Sequence, residues 1–384
     1  MDFTLSSEQQ MLQDTVARLA RDHYSFEARK GYYRSEAGMS PDFWNQLAEL
    51  GLCSVPIDQA HGGFGGSGVD NWLIMAELGR NLCLEPFLQS QIHAAGLLQQ
   101  LGDADQQGQW LGQVAEGALQ LAVALEEPQS HYQLHDVQTC ARPVDGGWRL
   151  SGRKVAVVGG ASAGLILVSA RTAGDDRDDQ GISLFLLEPQ AVGLKRHDYP
   201  CIDGPRASDL ILDDVFVAEG ALLGKAGEAL PALRYQQGRA IAGQCAEAVG
   251  GMQEAFRLTL DYLKTRKQFG APIGKFQVLQ HRMADMRAEL EMATSMAILA
   301  ACVADQADSD ERSRQLAAAK FVVVRAARLI AEQAIQLHGG IGMTWEYNLA
   351  HHAKRLVMLS HQLGDDDHHL QAYARLLTDR AHAH

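Results

Sequence analysis

The hydrophobic pattern between residues 276 and 300 leaves this chain little freedom. Phe276, Leu279, Met283, Met286, Leu290, Ala293, Ala297 and Ala300 recur in alternating steps of three and four. An apolar strip with that spacing is a heptad seam on one long helix, and other helices must cover it along its length. The Met283 and Met286 pair reads as core packing between long helices, and the small residues late in the seam let a partner backbone approach closely. A second long helix, Q-L-A-A-A-K-F-V-V-V-R-A-A-R-L-I-A-E-Q-A-I-Q-L, ends at Gly339-Gly340, a glycine stop signal. Long antiparallel helices with such seams make a four-helix bundle, here over residues 231–384.

The period changes upstream. Between residues 119 and 230 the apolar runs are short or alternating: L-A-V-A-L-E, W-R-L-S-G-R-K-V-A-V-V, L-I-L-V-S-A-R, I-S-L-F-L-L-E and D-L-I-L-D-D-V-F-V. Turn chemistry separates them, as at Asp145-Gly146-Gly147 and Asp203-Gly204-Pro205. This spacing predicts a compact β domain, a barrel or sandwich. Residues 1–118 return to helical texture. Ser6 with Gln9, and Ser7 with Gln10, have capping-box spacing ahead of Leu12, Val16 and Leu19 on one face. Pro41 opens and Gly51 stops a second helix over P-D-F-W-N-Q-L-A-E-L-G. The expected fold is therefore α+β and multidomain: an N-terminal helical domain (1–118), a central β-barrel or sandwich domain (119–230) and a C-terminal helical bundle (231–384).

Charge and apolar content limit the function classes. Across 384 residues, 34 Lys and Arg face 47 Asp and Glu, a formal net charge of −13. Such a chain repels a phosphate backbone, which argues against nucleic-acid binding. No apolar run reaches the roughly 20 residues a membrane span requires. The polar, acidic start M-D-F-T-L-S-S-E-Q-Q-M-L-Q-D is neither a signal nor a transit peptide. The six cysteines are scattered without a C-x-x-C, which fits free thiols in a reducing cytoplasm. The expectation is a cytoplasmic protein with no membrane or nucleic-acid partner.

Local motifs carry less. The loop from Gly62 to Gly68 is neither G-x-G-x-x-G after a strand nor a P-loop, so it reads as a tight helix connection. In Gly364-Asp365-Asp366-Asp367-His368-His369 the successive side chains fan around a helix and do not converge on one ion, so no metal site is expected. The three aspartates suit a helix N-terminus. Ser360 and Ser130 have histidine neighbours but no nucleophile elbow. The stretch Asp261 to Gly270 is more informative: a cationic turn before a long helix offers arginine and backbone N–H donors to an anion.

Several of these segments together resemble the acyl-CoA dehydrogenase family. R-K-Q-F-G-A-P-I-G-K-F-Q at 266–277, A-D-M at 284–286 and Q-L-H-G-G-I-G at 336–342 resemble its C-terminal signatures. V-P-I-D-Q-A-H-G-G-F-G with E-L-G at 77–79 resembles its N-terminal domain, and Leu125-Glu126-Glu127-Pro128 and Gly152-Arg153-Lys154 its β-domain motifs. The resemblance covers essentially the whole chain, in the family's order. It implies FAD, an acyl-CoA thioester substrate, loss of hydrogen from Cα and Cβ with a carboxylate as base, and electron transfer to an electron-transferring flavoprotein. It also assigns residues. Arg266, Gln268, Phe269 and Gln277, with Gln336, Leu337, His338, Gly339 and Gly340, would hold FAD, in this family the FAD of a neighbouring subunit. Arg239 would hold the CoA arm.

The departures from the family pattern are equally specific. Counting from Ala353-Lys354, the family's base position is Ser360, and the alternative base position before Arg239 is Gly238. The family's Gly-Thr after the base is missing. Glu126 replaces a threonine that meets the flavin, Gln129-Ser130-His131 replaces Gly-Ser-Asp, and Val155 to Gly160 lacks the usual aromatic and hydroxyl residues. This pattern predicts one subunit of a heteromeric acyl-CoA dehydrogenase, α2β2, whose related partner supplies the base. The alternatives are a homotetramer with a displaced base (Glu126, Glu127, His361 or Asp365 to Asp367) and a non-catalytic scaffold that kept the fold. The acyl group is not legible in the sequence.

Overall fold

A computed structural model describes residues 4–382. In chain order its helices and strands are α1 (Ser7–His23), α2 (Phe26–Arg34), α3 (Pro41–Glu49), α4 (Gly68–Arg80), α5 (Ala95–Leu101), α6 (Ala104–Ala115), β1 (Leu121–Ala124), β2 (Cys140–Val144), β3 (Gly147–Val158), β4 (Leu165–Arg171), β5 (Ile182–Leu187), β6 (Leu194–Pro200), β7 (Arg206–Ala218), β8 (Leu222–Leu223), α7 (Leu230–Thr265), β9 (Lys267–Gln268), β10 (Ala271–Pro272), α8 (Gln277–Val303), α9 (Asp310–His338), α10 (Asn348–Leu359) and α11 (Asp366–His382). A one-turn π-helix, Leu88–Ala94, leads into α5. Helices therefore flank a central mixed β-sheet, as the change of period predicted. The chain divides into two compact units: residues 1–31, 68–83 and 241–384 form the first, and residues 32–67 and 84–240 the second.

In the first unit the heptad seam is the core. Met283, Met286, Leu290, Ala293, Ala297 and Ala300 are buried, with Leu279 packed against the same cluster and Phe276 at its exposed end. The cluster draws on α7 (Cys245, Val249, Met252), α9 (Val323, Ile330, Ala334) and α10 (Leu349, Leu356) as well as α8. Four helices thus share one apolar interior, and α11 packs on α9. The predicted caps form. Ser6, rather than Ser7, closes a reciprocal capping box with Gln9 at the start of α1, and α9 stops at Gly339. Asp365 accepts the His368 backbone N–H at 2.8 Å, so this part of the Asp-rich run caps α11.

In the second unit one eight-stranded sheet runs β6-β7-β3-β2-β4-β5-β8, with β1 parallel to β4. Every residue of β4 and β5 is buried. The period-2 alternation splits them between two cores. Leu165, Leu167, Leu184 and Leu186 face α5, α6 and the first turns of α7. Ile166, Val168, Phe185 and Leu187 face Leu150, Leu210, Val215 and Val217 of β3 and β7. The sheet folds over itself as a sandwich, helped by register shifts in the β3–β7 ladder between Leu150 and Gly152 and between Lys154 and Val157. Pro41 and Gly51 bound α3 as expected. The Gly-rich loop uses its own donors: Phe64, Gly65 and Gly66 N–H bond to Ser54, Ile57 and Val55 carbonyls at 3.0, 2.7 and 2.7 Å. That bonding is what a tight connection requires and what a phosphate cradle would have to leave open. Two strands carry no alternating sequence signal, the Pro-containing β2 and the exposed, charged β6. Among the described residues no helix is long and apolar enough to cross a membrane.

Candidate active site

The cationic turn of the first unit is built by local geometry. Helix α7 ends as the Arg266 N–H donates to the Tyr262 carbonyl at 2.8 Å, and the Arg266 carbonyl accepts from the Ile273 N–H at 2.9 Å. Between them β9 and β10 form a minimal hairpin, with Phe269 (φ 55°) and Gly270 (φ 78°) both left-handed at its tip, as in a type I′ turn. Phe269 is 90% exposed and stands edge-on to Phe276 at 6.0 Å. Arg266, Gln268 and Gln277 are also exposed. Arg266 pairs with no acidic group among the described residues.

The end of α9 meets this turn through one stack. The Tyr262 ring lies on His338 at 4.4 Å. His338 Nδ1 is 2.8 Å from the Ala334 carbonyl, which can only accept, so Nδ1 carries the proton. Nε2 then accepts from the Tyr347 hydroxyl at 3.3 Å. Burial lowers the His338 pKa, consistent with this neutral tautomer. Leu337 and His338 are buried; their side chains fix the turn, and a ligand there would meet their backbone. Gln336, Gly339 and Gly340 are exposed, and a Cβ added to either glycine would meet nothing within 4 Å. The structure therefore gathers the predicted 266–277 and 336–340 segments at one end of the bundle. An unpaired guanidinium, two glutamine amides and open glycine backbone suit a pyrophosphate-bearing cofactor.

The position counted in the sequence as the base, Ser360, is different in kind. Ser360 caps the end of α10, is 1% exposed, and donates its hydroxyl to the Val357 carbonyl at 2.6 Å. A polar network that the sequence reading missed lies beside it. Lys320 Nζ donates to the Leu359 carbonyl at 2.9 Å and to Gln244 Oε1. Gln244 bonds to Gln362, and Arg355 holds Glu247 with two bonds of 2.6 and 3.0 Å. Burial pulls the Lys320 pKa down to about 8. The available signal was a lysine and a glutamate placed within otherwise apolar stretches of α9 and α7. None of these groups is a free carboxylate: Glu247 is clamped by Arg355.

In the second unit Gly238 is buried and Arg239 half-buried, its Nη1 donating to Gln236 Oε1 at 3.4 Å. Glu127 and Lys154, from the two β-domain motifs, form a buried ion pair, Lys154 Nζ to Glu127 Oε1 at 2.7 Å. Ser169 Oγ lies 2.9 Å from Nζ, and the Gln138 and Thr139 N–H groups donate to the Glu127 carboxylate at 2.9 and 3.1 Å. Burial would raise the Glu127 pKa, but Lys154 and these donors outweigh it and hold the carboxyl below its usual range. Glu127 is therefore structural and unsuited to take a proton. Glu126 beside it is raised instead: burial dominates, although Ser130 Oγ at 3.0 Å and the Tyr132 N–H favour the charged form. His131 and Tyr132, which follow the altered Gln129-Ser130 step, both have positive φ (41° and 70°). Non-glycine residues there cost about 1–3 kcal/mol each. Ala156 likewise has φ 54° in the bulge of β3, where the run Val155 to Val158 offers only aliphatic side chains. Of the other proposed bases, His361 and Asp367 are exposed and Asp366 lies 3.5 Å from Arg328. Among the described residues no three His, Cys, Asp or Glu side chains are grouped as metal ligands.

Three protein-family models match successive stretches of the chain. The acyl-CoA dehydrogenase N-terminal domain matches residues 6–118, the middle domain 122–215 and the C-terminal domain 236–378. The chain belongs to the acyl-CoA dehydrogenase family, flavoprotein oxidoreductases that act on a CH–CH bond with FAD as cofactor. It is 29% identical over 357 residues to acyl-CoA dehydrogenase fadE12 of Mycobacterium tuberculosis, covering 91% of this chain and 90% of the relative. It is 27% identical over 390 residues to L-prolyl-[peptidyl-carrier protein] dehydrogenase of a Serratia species, covering 98% of each. Among solved structures, a chain of the Tcur3481-Tcur3483 steroid ACAD superposes with a TM-score of 0.88 at 29% identity, covering 98% of this chain and 99% of the other.

Proposed function

We propose that this chain is one subunit of a cytoplasmic heteromeric acyl-CoA dehydrogenase, α2β2, in which a homologous partner chain supplies the catalytic base. FAD, when bound, would supply the acceptor for the hydride lost from the acyl chain. The residues of this chain that fit it are Arg266, Gln268, Gln277, Gln336, Gly339 and Gly340, with Phe269 beside them as an exposed apolar contact. They offer charge-assisted and backbone donors to the diphosphate and adenosine part. Arg239 serves the CoA arm, and an electron-transferring flavoprotein takes the electrons. The single observation that carries this reading is Ser360: the family's carboxylate position holds a buried hydroxyl already bonded within its own helix. A hydroxyl in that state cannot take the α-proton of a thioester, a step that needs a carboxylate with a raised pKa. The 25%-identical chain in the FAD complex of PigA, with a TM-score of 0.89, supports the cofactor.

The test is expression of the chain alone and together with a homologous chain. Alone, it should retain little flavin and turn over slowly; together, the complex should carry less than one FAD per chain and oxidise acyl-CoA. Ordinary turnover by the lone chain would overturn the proposal.

One observation favours a second reading, a homotetramer with a displaced base. Glu126 is a half-buried carboxyl with a raised pKa, the property a base of this kind requires. If that reading holds, Glu126→Gln abolishes turnover of the lone chain without loss of FAD.

A further inference from the structure

In the first unit, helix α2 is fastened to the bundle by an arginine that donates to a histidine. Arg29 is buried; its Nε donates to the Leu82 carbonyl at 2.9 Å, and its Nη1 lies 3.1 Å from Nδ1 of His351 on α10. A guanidinium can only donate, so Nδ1 must accept. The other ring nitrogen, Nε2, is 3.0 Å from the Trp345 carbonyl, which can only accept, so Nε2 carries the proton. Only a neutral imidazole, in this one tautomer, makes both bonds. Its ring is enclosed as well, by Phe26 edge-on at 5.1 Å and Trp345 at 4.4 Å. One buried side chain thus joins three stretches: α2, α10 and the 343–347 connection that follows the Gly339-Gly340 step.

A proton added at Nδ1 sets donor against donor across the Arg29 contact. The surroundings make that form worse. Burial disfavours a charged ring most, and Arg29 and Lys30 from α2 and Lys354 from α10 add charges of the same sign, so the His351 pKa lies below that of an ordinary histidine. Glu27 on α2 is bonded to Lys30 at 2.7 Å. Lys354 also lies over the Trp345 ring at 4.7 Å. His352, the next residue of α10, is buried with its pKa pushed down to about 3, so it stays neutral in mild acid. The end of α4 presents the Leu82 carbonyl and the 343–347 connection the Trp345 carbonyl and ring, none of which titrates.

We propose that the Arg29–His351–Trp345 contact is an acid-sensitive latch, which holds α2 and the 343–347 connection on α10 at neutral pH and opens both when His351 takes up a proton. The inference goes beyond the functional reading above and does not depend on it. Histidine is suited to such a device because its charge changes in the mildly acid range. In the opened state His351 regains the ordinary value of 6.5, whereas the closed state resists the proton. Above pH 6.5 neither state is charged and the latch is unaffected. Below it, opening is favoured by up to about tenfold per pH unit, until the closed form also binds the proton. Acidification from pH 7.5 to 5.0 crosses about 1.5 units of that window, so opening rises at most roughly 30-fold.

The test is amide hydrogen exchange of the full chain at pH 7.5 and 5.0, corrected for the intrinsic pH dependence of exchange, which reads local opening segment by segment. In the wild type, exchange of α2 and of residues 343–352 should rise about fivefold or more on acidification. Residues 283–303 of α8, which contain no histidine, should be unchanged. In His351→Gln the amide can accept from Arg29 and donate to the Trp345 carbonyl without titrating, so protection should be alike at both pH values. In Arg29→Gln the amide can turn to accept from a charged ring, and the acid response should shrink to less than half. A wild type whose α2 and 343–352 segments stay protected at pH 5.0 overturns the proposal. So does an acid response that persists in His351→Gln, or one that 283–303 shares, which would be general acid unfolding. Should His351→Gln fail to fold, an undiminished response in Arg29→Gln overturns it equally.

Discussion

At the end of the bundle, Arg266, Gln268, Gln277, Gln336 and the Gly339-Gly340 step are exposed and open, resting on a buried Tyr262–His338–Tyr347 scaffold. Along the edge of the sheet, the corresponding motif positions hold a half-buried Glu126, a strained His131-Tyr132 turn and a stretch of aliphatic residues. The first region looks arranged to receive something. In the second, the buried Lys154–Glu127 pair forms a scaffold beside groups that depart from the pattern the resemblance implies. Scaffolding and ligand-facing residues can thus change independently, because the scaffold is needed for stability whatever the site binds.

The largest effect expected from breaking this contrast is on the scaffold of the sheet. Glu127→Gln or Lys154→Met leaves a buried charge unpaired and should cost about 3–5 kcal/mol, read by denaturant unfolding. A value near zero would mean the pair is not a buried structural element. Next comes Arg266→Ala, which should lower FAD occupancy of the assembled oligomer by roughly tenfold or more, the loss of one charge-assisted contact, with little change in Tm. Flavin absorbance per chain measures it, and unchanged occupancy would remove the bundle end from the cofactor site.

A pH experiment sharpens the account of the region around Ser360. Burial holds the folded-state pKa of Lys320 at about 8, below the 10.5 of an ordinary lysine. The fold therefore disfavours the charged form. Below pH 8 both states bind the proton and the penalty is complete. Between pH 8 and 10.5 the unfolded chain keeps a proton that the folded chain has lost, and stability gains on the order of 3 kcal/mol. The Tm difference between wild type and Lys320→Met should grow in favour of the wild type across that window; a flat difference would show that Lys320 titrates normally. The smallest effect on stability belongs to Phe269→Ser. At 90% exposure the ring contributes little to the fold, so unfolding should shift by less than about 0.5 kcal/mol. Subunit association, followed by light scattering, should weaken measurably.

The elements that proved legible in the sequence were those whose burial is periodic. The heptad seam, the Ser6 box and the Pro41 and Gly51 punctuation each encode a single face or a single end, and the wholly apolar β4 and β5 encode two buried faces. Strand β6 (L-K-R-H-D-Y-P) was not legible because it is exposed and pairs only with β7, so nothing selects an apolar face. The π turn was hidden for another reason: an inserted residue leaves no composition mark, only a shift of phase. The exposed residues of 266–277 and 336–340 were legible as a motif, but the burial of Leu337 and His338 within it was not. The Lys320–Gln244–Gln362 and Glu247–Arg355 contacts depend on residues far apart in the chain, and no spacing rule reports them.

The His338 ring carries a consequence for inheritance of damage. Its proton position is dictated from one side by a helix carbonyl and from the other by the Tyr347 phenol, and its face is occupied by Tyr262. Replacing Tyr347, a residue outside both ligand-facing segments, with phenylalanine would unseat the hinge that keeps two distant stretches of polypeptide in step. If these segments hold FAD as proposed, variants there loosen cofactor retention while every side chain assigned to the cofactor is intact.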